Sequence, residues 1–522
     1  MRRTSVAGLA LALTLALAST ASASPLLTLR HDGGAFARED RYLPAEIDPA
    51  IQRPVTRPRA QLVRAAAERA PKRTVRGELA RMLAAGAIDQ PTHDARRTTY
   101  AAARRLLRKL SGARRADMGS VLRNLEEIAG RGELTVSRLP ALFETVARNR
   151  DWWSRGPLLS YGRRVTFQGS PLVWQYYTGE GLQIQWLGTF GKANALWKSR
   201  THDADLRRLL DAALGLAAQR AGGIGFEYLF RFDGGRPPWV SGLAQGTGIQ
   251  ALSRAAVRLG EPRYFEAARA ALGVFREAPP SGVRVNTPLG AHYLIYSFAP
   301  RLRVLNAFTQ ALNGLHDFAQ FANDAEGRAL FAAGEAQLRS ELPAYDTGAW
   351  SRYSLQREAD LSYHKLARDF LVSLCGRLRV APPAARGSAG GSTTGGALPA
   401  GPLPAQPLAD AAPYCDAGTR FSSYLRQPPV VALVSRRARA GKPATLKLDL
   451  SKPSYVKLAI RDGRRTVAVL GARLASGRRT LVWASPRAGE GYEVMLRATD
   501  LAGNAGSATG ELEVRKARRK RR

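Results

Sequence analysis

The sequence predicts a multidomain, mainly α protein: a serial array of helical hairpins over residues 201–428, a short β-hairpin region (151–200) before it, and an immunoglobulin-like β-sandwich (429–514) after it. Three observations carry this. Apolar residues recur at helical spacing from Leu206 to Leu378, with short Gly- and Pro-rich turns between the runs. Past Pro428 the period drops to two, in short runs of Val, Leu, Ile and Tyr separated by turns such as Asp462-Gly463. Between Tyr161 and Trp186, β-branched and aromatic residues are broken by Gly and Pro, the pattern of one or two hairpins.

Met1-Arg2-Arg3, the apolar run 6–18 and Ala21-Ser22-Ala23 have the three-part layout of a secretory signal peptide over 1–23, which starts the mature chain near Ser24. That apolar run is too short to span a bilayer, and no later run approaches about 20 apolar residues. The expectation is a soluble, secreted or cell-wall associated protein with no membrane span.

Residues 24–150 read as an N-terminal helical region. Its helices are clearest at 99–110 and 118–128, with arginines outward and Ala or Leu inward. Next come the extended pieces Arg164-Val165-Thr166-Phe167, Leu172-Val173-Trp174-Gln175-Tyr176-Tyr177 and Gly181-Leu182-Gln183-Ile184, leading into a helix near Leu187. In the hairpin array, Ile249, Leu252, Ala256 and Leu259 share one face, as do Val304, Phe308, Leu312, Leu315 and Ala319, and Leu366, Phe370, Leu374 and Leu378. Serial hairpins of this kind suit an α/α toroid, in which helix pairs surround a cleft. Residues 384–413 are rich in Gly, Ser, Thr, Ala and Pro and read as a flexible insertion. About seven strands follow it, then a basic tail over 515–522.

A net charge of +37, mostly spread arginine, points to anionic polymers rather than to one focused nucleic-acid groove. An acidic polysaccharide is the expected partner, an anionic cell-wall polymer a further one through the tail, and specific nucleic acid is not expected; a homodimer is left open. The only cysteines, Cys375 and Cys415, are a disulfide candidate for an exported chain, worth about 2–4 kcal/mol. The six histidines show no ligand spacing, so no histidine metal site is expected.

Four segments between Pro237 and Cys375 occur in a telling order. They are Pro237-Pro238-Trp239-Val240-Ser241-Gly242-Leu243-Ala244-Gln245-Gly246; Val304-Leu305-Asn306-Ala307-Phe308 with Leu312-Asn313-Gly314-Leu315; Leu342-Pro343-Ala344-Tyr345-Asp346-Thr347-Gly348; and Tyr353 with Tyr363-His364. Together they resemble the C-terminal domain of the D-glucuronyl C5-epimerase family, a likeness that takes in roughly 200 of the 522 residues, with Phe421-Ser422-Ser423-Tyr424-Leu425 similar to its last helix. The resemblance implies an α/α toroid, an isomerase that inverts C5 of glucuronic acid within heparan-type polymers, and no organic cofactor.

That chemistry removes a proton alpha to a carboxylate and returns one from the opposite face. It needs two acid/base groups flanking the ring and positive charge on the carboxylate. The resemblance places the family's tyrosines on Tyr296, Tyr353 and Tyr363: Tyr296 and Tyr363 as opposed proton donors and acceptors, Tyr353 orienting the carboxylate. Trp239, Gln245, Arg303, Arg357 and His364 are the expected substrate contacts, with Trp152, Trp153, Trp174 and Tyr177 as weaker stacking candidates. Arg301, Arg303, Arg352 and Arg357 are expected to lower the phenol pKa values.

The chain departs from the family in three places. Ile295 replaces the glutamate before Tyr296, Gln356 replaces an arginine, and a short helix stands where the animal enzymes carry a large β domain between the segments matching Trp197 and Phe226. A uronate lyase using the same enolate, and a non-catalytic glycan-binding protein, are the alternatives.

Overall fold

The structure is a computed structural model that describes residues 24–44, 73–379, 408–484 and 486–516. Residues 1–23 of the signal-like segment, 384–407 of the insertion and 517–522 of the tail lie outside the described residues. No helix among the described residues is long and apolar enough to cross a membrane.

The described chain opens with strands β1 (Ser24–Leu29) and β2 (Ala35–Asp40), followed by helices α1 (Val75–Ala84), α2 (Gln90–Lys109), α3 (Gly112–Gly130) and α4 (Leu139–Arg155). Strands β3 (Arg164–Phe167), β4 (Trp174–Tyr177) and β5 (Gly181–Ile184) complete a five-stranded sheet in the order β2-β1-β3-β4-β5. Strand β1 runs parallel to β3, with Leu27 opposite Val165, and antiparallel to β2. The region from residue 24 is therefore not wholly helical. Strand β2 sits at the sheet edge with its first five residues exposed, so Ala-Phe-Ala-Arg-Glu-Asp carries no apolar alternation that could announce a strand. With nineteen strands beside thirteen α-helices among the described residues, the fold is mixed rather than mainly α.

Four helical hairpins form the body. They pair α5 (Trp186–Ser199) with α6 (Asp203–Leu214), and α7 (Gly242–Leu259) with α8 (Arg263–Ala271), the short β6 (Ala218–Arg220) and β7 (Gly223–Gly225) lying between the two pairs. After α9 (Gly273–Arg276), β8 (Arg284–Thr287) and β9 (Gly290–Tyr293), helix α10 (Leu305–Phe321) pairs with α11 (Ala325–Glu341). After β10 (Arg352–Ser354) and β11 (Arg357–Glu358), α12 (Leu361–Arg379) pairs with α13 (Ala412–Tyr424). The Cys375–Cys415 disulfide fastens this last pair.

Helices α5, α7, α10 and α12 lie side by side in that order. Helices α7 and α10 touch backbone to backbone: a Cβ on Gly314 would lie 2.0 Å from the Gly246 carbonyl oxygen, and one on Gly246 2.7 Å from the Ala311 Cα. Both glycines of the matched motifs thus serve helix packing. Nearby, a buried amide ladder crosses the same interface, with Gln310 Nε2 donating to Gln250 Oε1 (3.1 Å) and Asn313 Nδ2 to Gln310 Oε1 (3.2 Å).

At the far end of these helices, buried Asp317 on α10 accepts from Arg254 Nε of α7 (3.0 Å) and Arg377 Nε of α12 (2.6 Å). Arg254 also donates to Asn194 Oδ1 on α5 (2.8 Å) and lies 4.5 Å over the Trp197 ring. One carboxylate thereby ties together four helices. Two similar nodes recur: Glu227 accepts from Arg138 and Arg220, and Glu341 from Arg303, Gln337 and His292.

The C-terminal unit comprises β12 (Val431–Leu433), β13 (Arg437–Arg439), β14 (Ala444–Leu450), β15 (Ser454–Asp462), β16 (Arg465–Leu474), β17 (Gly477–Trp483), β18 (Gly489–Asp500) and β19 (Ala505–Arg515). They form two sheets, β12-β14-β17 and β13-β19-β18-β15-β16, around one core that includes Leu446, Leu448, Val456, Leu458, Val494 and Leu512. Strict in–out alternation along β14 places Leu446, Leu448 and Leu450 in that core. Lys452 pins the unit to the helices, its buried ammonium donating to the Tyr424 and Gln427 carbonyls (2.7 and 2.6 Å) and to Asp500 (3.2 Å). Ser476 N also donates to Glu358 Oε2 at the end of β11 (3.0 Å).

Removing Asp317 would leave two buried guanidinium groups uncompensated, so Asp317→Ala is expected to cost about 3–5 kcal/mol in urea unfolding at pH 7. Burial raises the Asp317 pKa, but Arg377 and Arg254 pull it well below the usual carboxylate range. Its stabilisation is complete above about pH 4, and the difference between wild type and variant shrinks as pH falls below that value. Gly314→Ala is expected to lower unfolding free energy by about 2 kcal/mol or more, because backbone rather than a movable side chain must yield.

Candidate functional site

Backbone contacts gather the segments that precede α7, α10 and α12. Gly242 N donates to Leu294 O and Ser297 N to Val240 O, while Val304 bridges to Ser354 of β10. Three helix N-termini therefore share one mouth, where partial positive charge favours anions. Ser241 caps α7 by accepting from Ala244 N, and Asp360 accepts from Tyr363 N in the first turn of α12 (2.9 Å). Helix α10 has no side-chain cap.

Tyr296 stands in the loop between β9 and α10, Tyr353 in β10, and Tyr363 in the first turn of α12. The structure brings all three together. The Tyr353 and Tyr363 rings lie 4.5 Å apart, and the Tyr296 phenol feels the charge of both. Tyr296 stacks on Phe298 at 5.2 Å and packs edge-on against Trp239 and Phe232. Tyr296 and Tyr363 are half-buried and keep some exposed surface.

Arg357 lies 4.5 Å over the Tyr353 ring, and its guanidinium has no carboxylate at ion-pair distance among the described residues. It acts on both phenols and on two carboxylates that sequence reasoning missed, Asp233 and Asp360. Asp233 occupies the turn Phe232-Asp233-Gly234-Gly235, with φ 46°. An Asp-Gly-Gly turn tip is legible in the sequence, but its approach to Tyr353, 120 positions away, is not.

The electrostatics reverse one expectation. Burial pushes Tyr353 up to about 12 even though Arg357 pulls it down, and burial drives Tyr296 and Tyr363 well above their ordinary value. Desolvation of a phenolate thus outweighs one half-buried guanidinium. Of the other expected arginines, Arg303 is engaged by Glu341 and Arg301 is exposed. Asp233 and Asp360 are likewise raised by burial, with Arg357 opposing.

Several expected substrate contacts are spent on the framework. Gln245 is 1% exposed, accepting from Phe226 N and donating to the Ile224 and Ala271 carbonyls. His364 is fully buried, stacked 3.8 Å from Trp350 and bonded to Ser351 and the Phe421 carbonyl; burial brings its pKa down to about 4. Trp239 is 3% exposed, stacked on Tyr228 at 4.3 Å and bonded to the Phe230 carbonyl, so its ring is closed to a sugar. Trp152, Trp153 and Trp174 are core residues. Tyr177, by contrast, neighbours the cluster through Phe230 and Phe232.

The D-glucuronyl C5-epimerase C-terminus profile matches residues 221–377, the stretch that holds all three tyrosines and Arg357. A D-glucuronyl C5-epimerase of Caenorhabditis elegans is 34% identical over 145 residues, covering 25% of this chain and 24% of that protein; the chain thus spans about a quarter of that relative's length. Among solved structures, an unsaturated glucuronyl hydrolase specific for heparin aligns over 46% of this chain and 60% of its own at 12% identity, with a TM-score of 0.31. A superoxide reductase (neelaredoxin) from Ignicoccus hospitalis aligns over 17% of this chain and 81% of its own at 10% identity, with a TM-score of 0.14. Scores this low establish neither a shared fold nor a shared activity. The sequence matches are another matter: residues 221–377 of the chain are similar to the C-terminal domain of the D-glucuronyl C5-epimerase family.

Proposed function

We propose that the tyrosine cluster is the uronate site of a C5-epimerase-like enzyme acting on a glucuronate-containing polysaccharide. One observation carries the reading: within the family-matched region, three phenols meet a guanidinium that has no carboxylate at ion-pair distance among the described residues, at the gathered N-termini of three helices. A uronate carboxylate placed there gains from Arg357 and from the helix termini, and gains more when C5 loses its proton and the charge grows.

Burial keeps the phenols protonated near neutral pH, which suits them to deliver a proton rather than to remove one. Tyr296 and Tyr363 are the proton donors in this reading, and Tyr353 orients the carboxylate. The base is then a carboxylate. Ile295 is apolar and buried where the family resemblance expects a glutamate, so Asp233 takes that role, its raised pKa making it a stronger base than an ordinary aspartate. The reading further takes the four helical hairpins as part of an α/α toroid, the C-terminal sheets as an immunoglobulin-like module, and residues 1–23 as a secretory signal that delivers the enzyme to polymer outside the cytoplasm.

Incubation with a glucuronate polymer in D₂O, followed by NMR at C5, is expected to show exchange without chain cleavage. Tyr363→Phe and Tyr296→Phe are each expected to slow that exchange about 10²-fold or more. Asp233→Asn should slow it comparably, and Asp233→Glu should restore part of the rate. Unsaturated uronate ends would convert the assignment to a lyase. Retention on an acidic glycan column with no exchange at all would reduce the protein to a binder.

A further inference from the structure

A polar cavity of about 510 Å³ lies toward the end of β4 opposite Tyr177. Its walls come from the end of β2, the Ser170-Pro171 turn before β4, helix α5 and the start of α6. Two built features mark it. The Lys192 ammonium donates to the buried carboxylate of Asp40 (2.7 Å), fixing part of the wall. Beside it, the Tyr42 hydroxyl lies 2.7 Å from His202 Nε2, and His202 Nδ1 lies 3.2 Å from Asp205 Oδ2.

The direction of that relay follows from donor chemistry. An ionised carboxylate only accepts, so the contact with Asp205 selects the tautomer with the proton on Nδ1, in which the Nε2 lone pair accepts from the Tyr42 O–H. The Tyr42 oxygen then has a lone pair left for a hydroxyl donor. The same wall offers two cations, Arg38 and Arg41, with no carboxylate at ion-pair distance among the described residues; Arg41 lies 4.9 Å over the Tyr42 ring. Asp205 is shared with Arg208 (3.1 Å), so Arg208 is not free in the same sense. Glu39 stands on the same wall, also without a cation at ion-pair distance among the described residues, so the wall presents two guanidinium groups beside one carboxylate. An occupant that satisfies it brings an anionic group for the guanidinium groups and hydroxyl donors for Glu39 and the relay, within a volume ordinary for a small-ligand site.

We infer that this cavity is an accessory saccharide subsite that holds one acidic sugar unit away from the tyrosine cluster. The choice of ligand rests on the uronate-polymer reading proposed above; the existence of the site does not. The probe is a tetrasaccharide of alternating glucuronate and N-acetylglucosamine, titrated calorimetrically into the full chain. Arg38→Ser/Arg41→Ser is expected to weaken one class of binding by about tenfold or more, and Tyr353→Phe/Arg357→Gln to weaken a different class. Tyr42→Phe, which keeps the ring and removes only the oxygen, should weaken the same class as the arginine pair and guards against a folding defect. On polymer in D₂O, the arginine pair is expected to raise KM with kcat unchanged. Binding unaltered in both Arg38→Ser/Arg41→Ser and Tyr42→Phe would overturn the subsite. Inorganic sulfate binding there as tightly as the tetrasaccharide would overturn its assignment to sugar. Tetrasaccharide binding that depends on Arg38 and Arg41, in a protein with no C5 exchange, would uphold the subsite while removing the epimerase reading.

Discussion

Asp317 is the point on which the helical body depends. It is buried and unable to remain ionised without compensation, and it receives that compensation from Arg254 and Arg377, which lie on the helices to either side of its own. Arg254 extends the node to α5 through Asn194 and Trp197. Breaking any arm leaves a desolvated charge, so the four helices hold their spacing as a set. The Glu227 and Glu341 nodes repeat the arrangement elsewhere, two arginines converging on the first buried acid and Arg303 with Gln337 and His292 on the second. Part of the arginine excess, which from composition alone speaks only of anionic partners, thus has structural work inside the protein.

That spacing fixes the mouth where the tyrosines meet. Contacts before α7, α10 and α12 bring the helix starts together, and the Gly246–Gly314 approach sets how closely α7 and α10 lie. The local electrostatics combine two opposing effects. Helix termini and Arg357 attract negative charge, while low solvation resists forming it on the phenols. The sugar acid proposed as substrate would bring its charge already made, and so would collect the attraction without the ionisation cost that the tyrosines would bear.

Much of this was legible from residue order. The helical period from Leu206 onward, the alternation past Pro428 and the motif tyrosines all correspond to elements or neighbours in space. What the sequence concealed has physical causes. Gln245 and His364 occupy motif positions, yet a motif residue serving backbone carbonyls looks the same in one dimension as one serving a sugar. Strand β2 lacks a buried face, so periodicity had nothing to register. The direction of the tyrosine shifts depends on burial, which no count of neighbouring arginines reveals. Asp233 joins Tyr353 only through folding, and Tyr42, His202 and Asp205 meet across some 160 residues of chain.

The hydrogen bond from Ser476 to Glu358 joins the C-terminal sheets to the ribbon beside the proposed site. Glu358 belongs to the same two-stranded ribbon as Tyr353 and Arg357, and Lys452 anchors the sheets to the helices nearby. The module therefore holds the ribbon at one point, the Glu358 carboxylate. It is not an interchangeable bead on a string: a graft that kept its outline but altered the turn around Ser476 would let the guanidinium-bearing ribbon drift, even with every residue of the mouth intact.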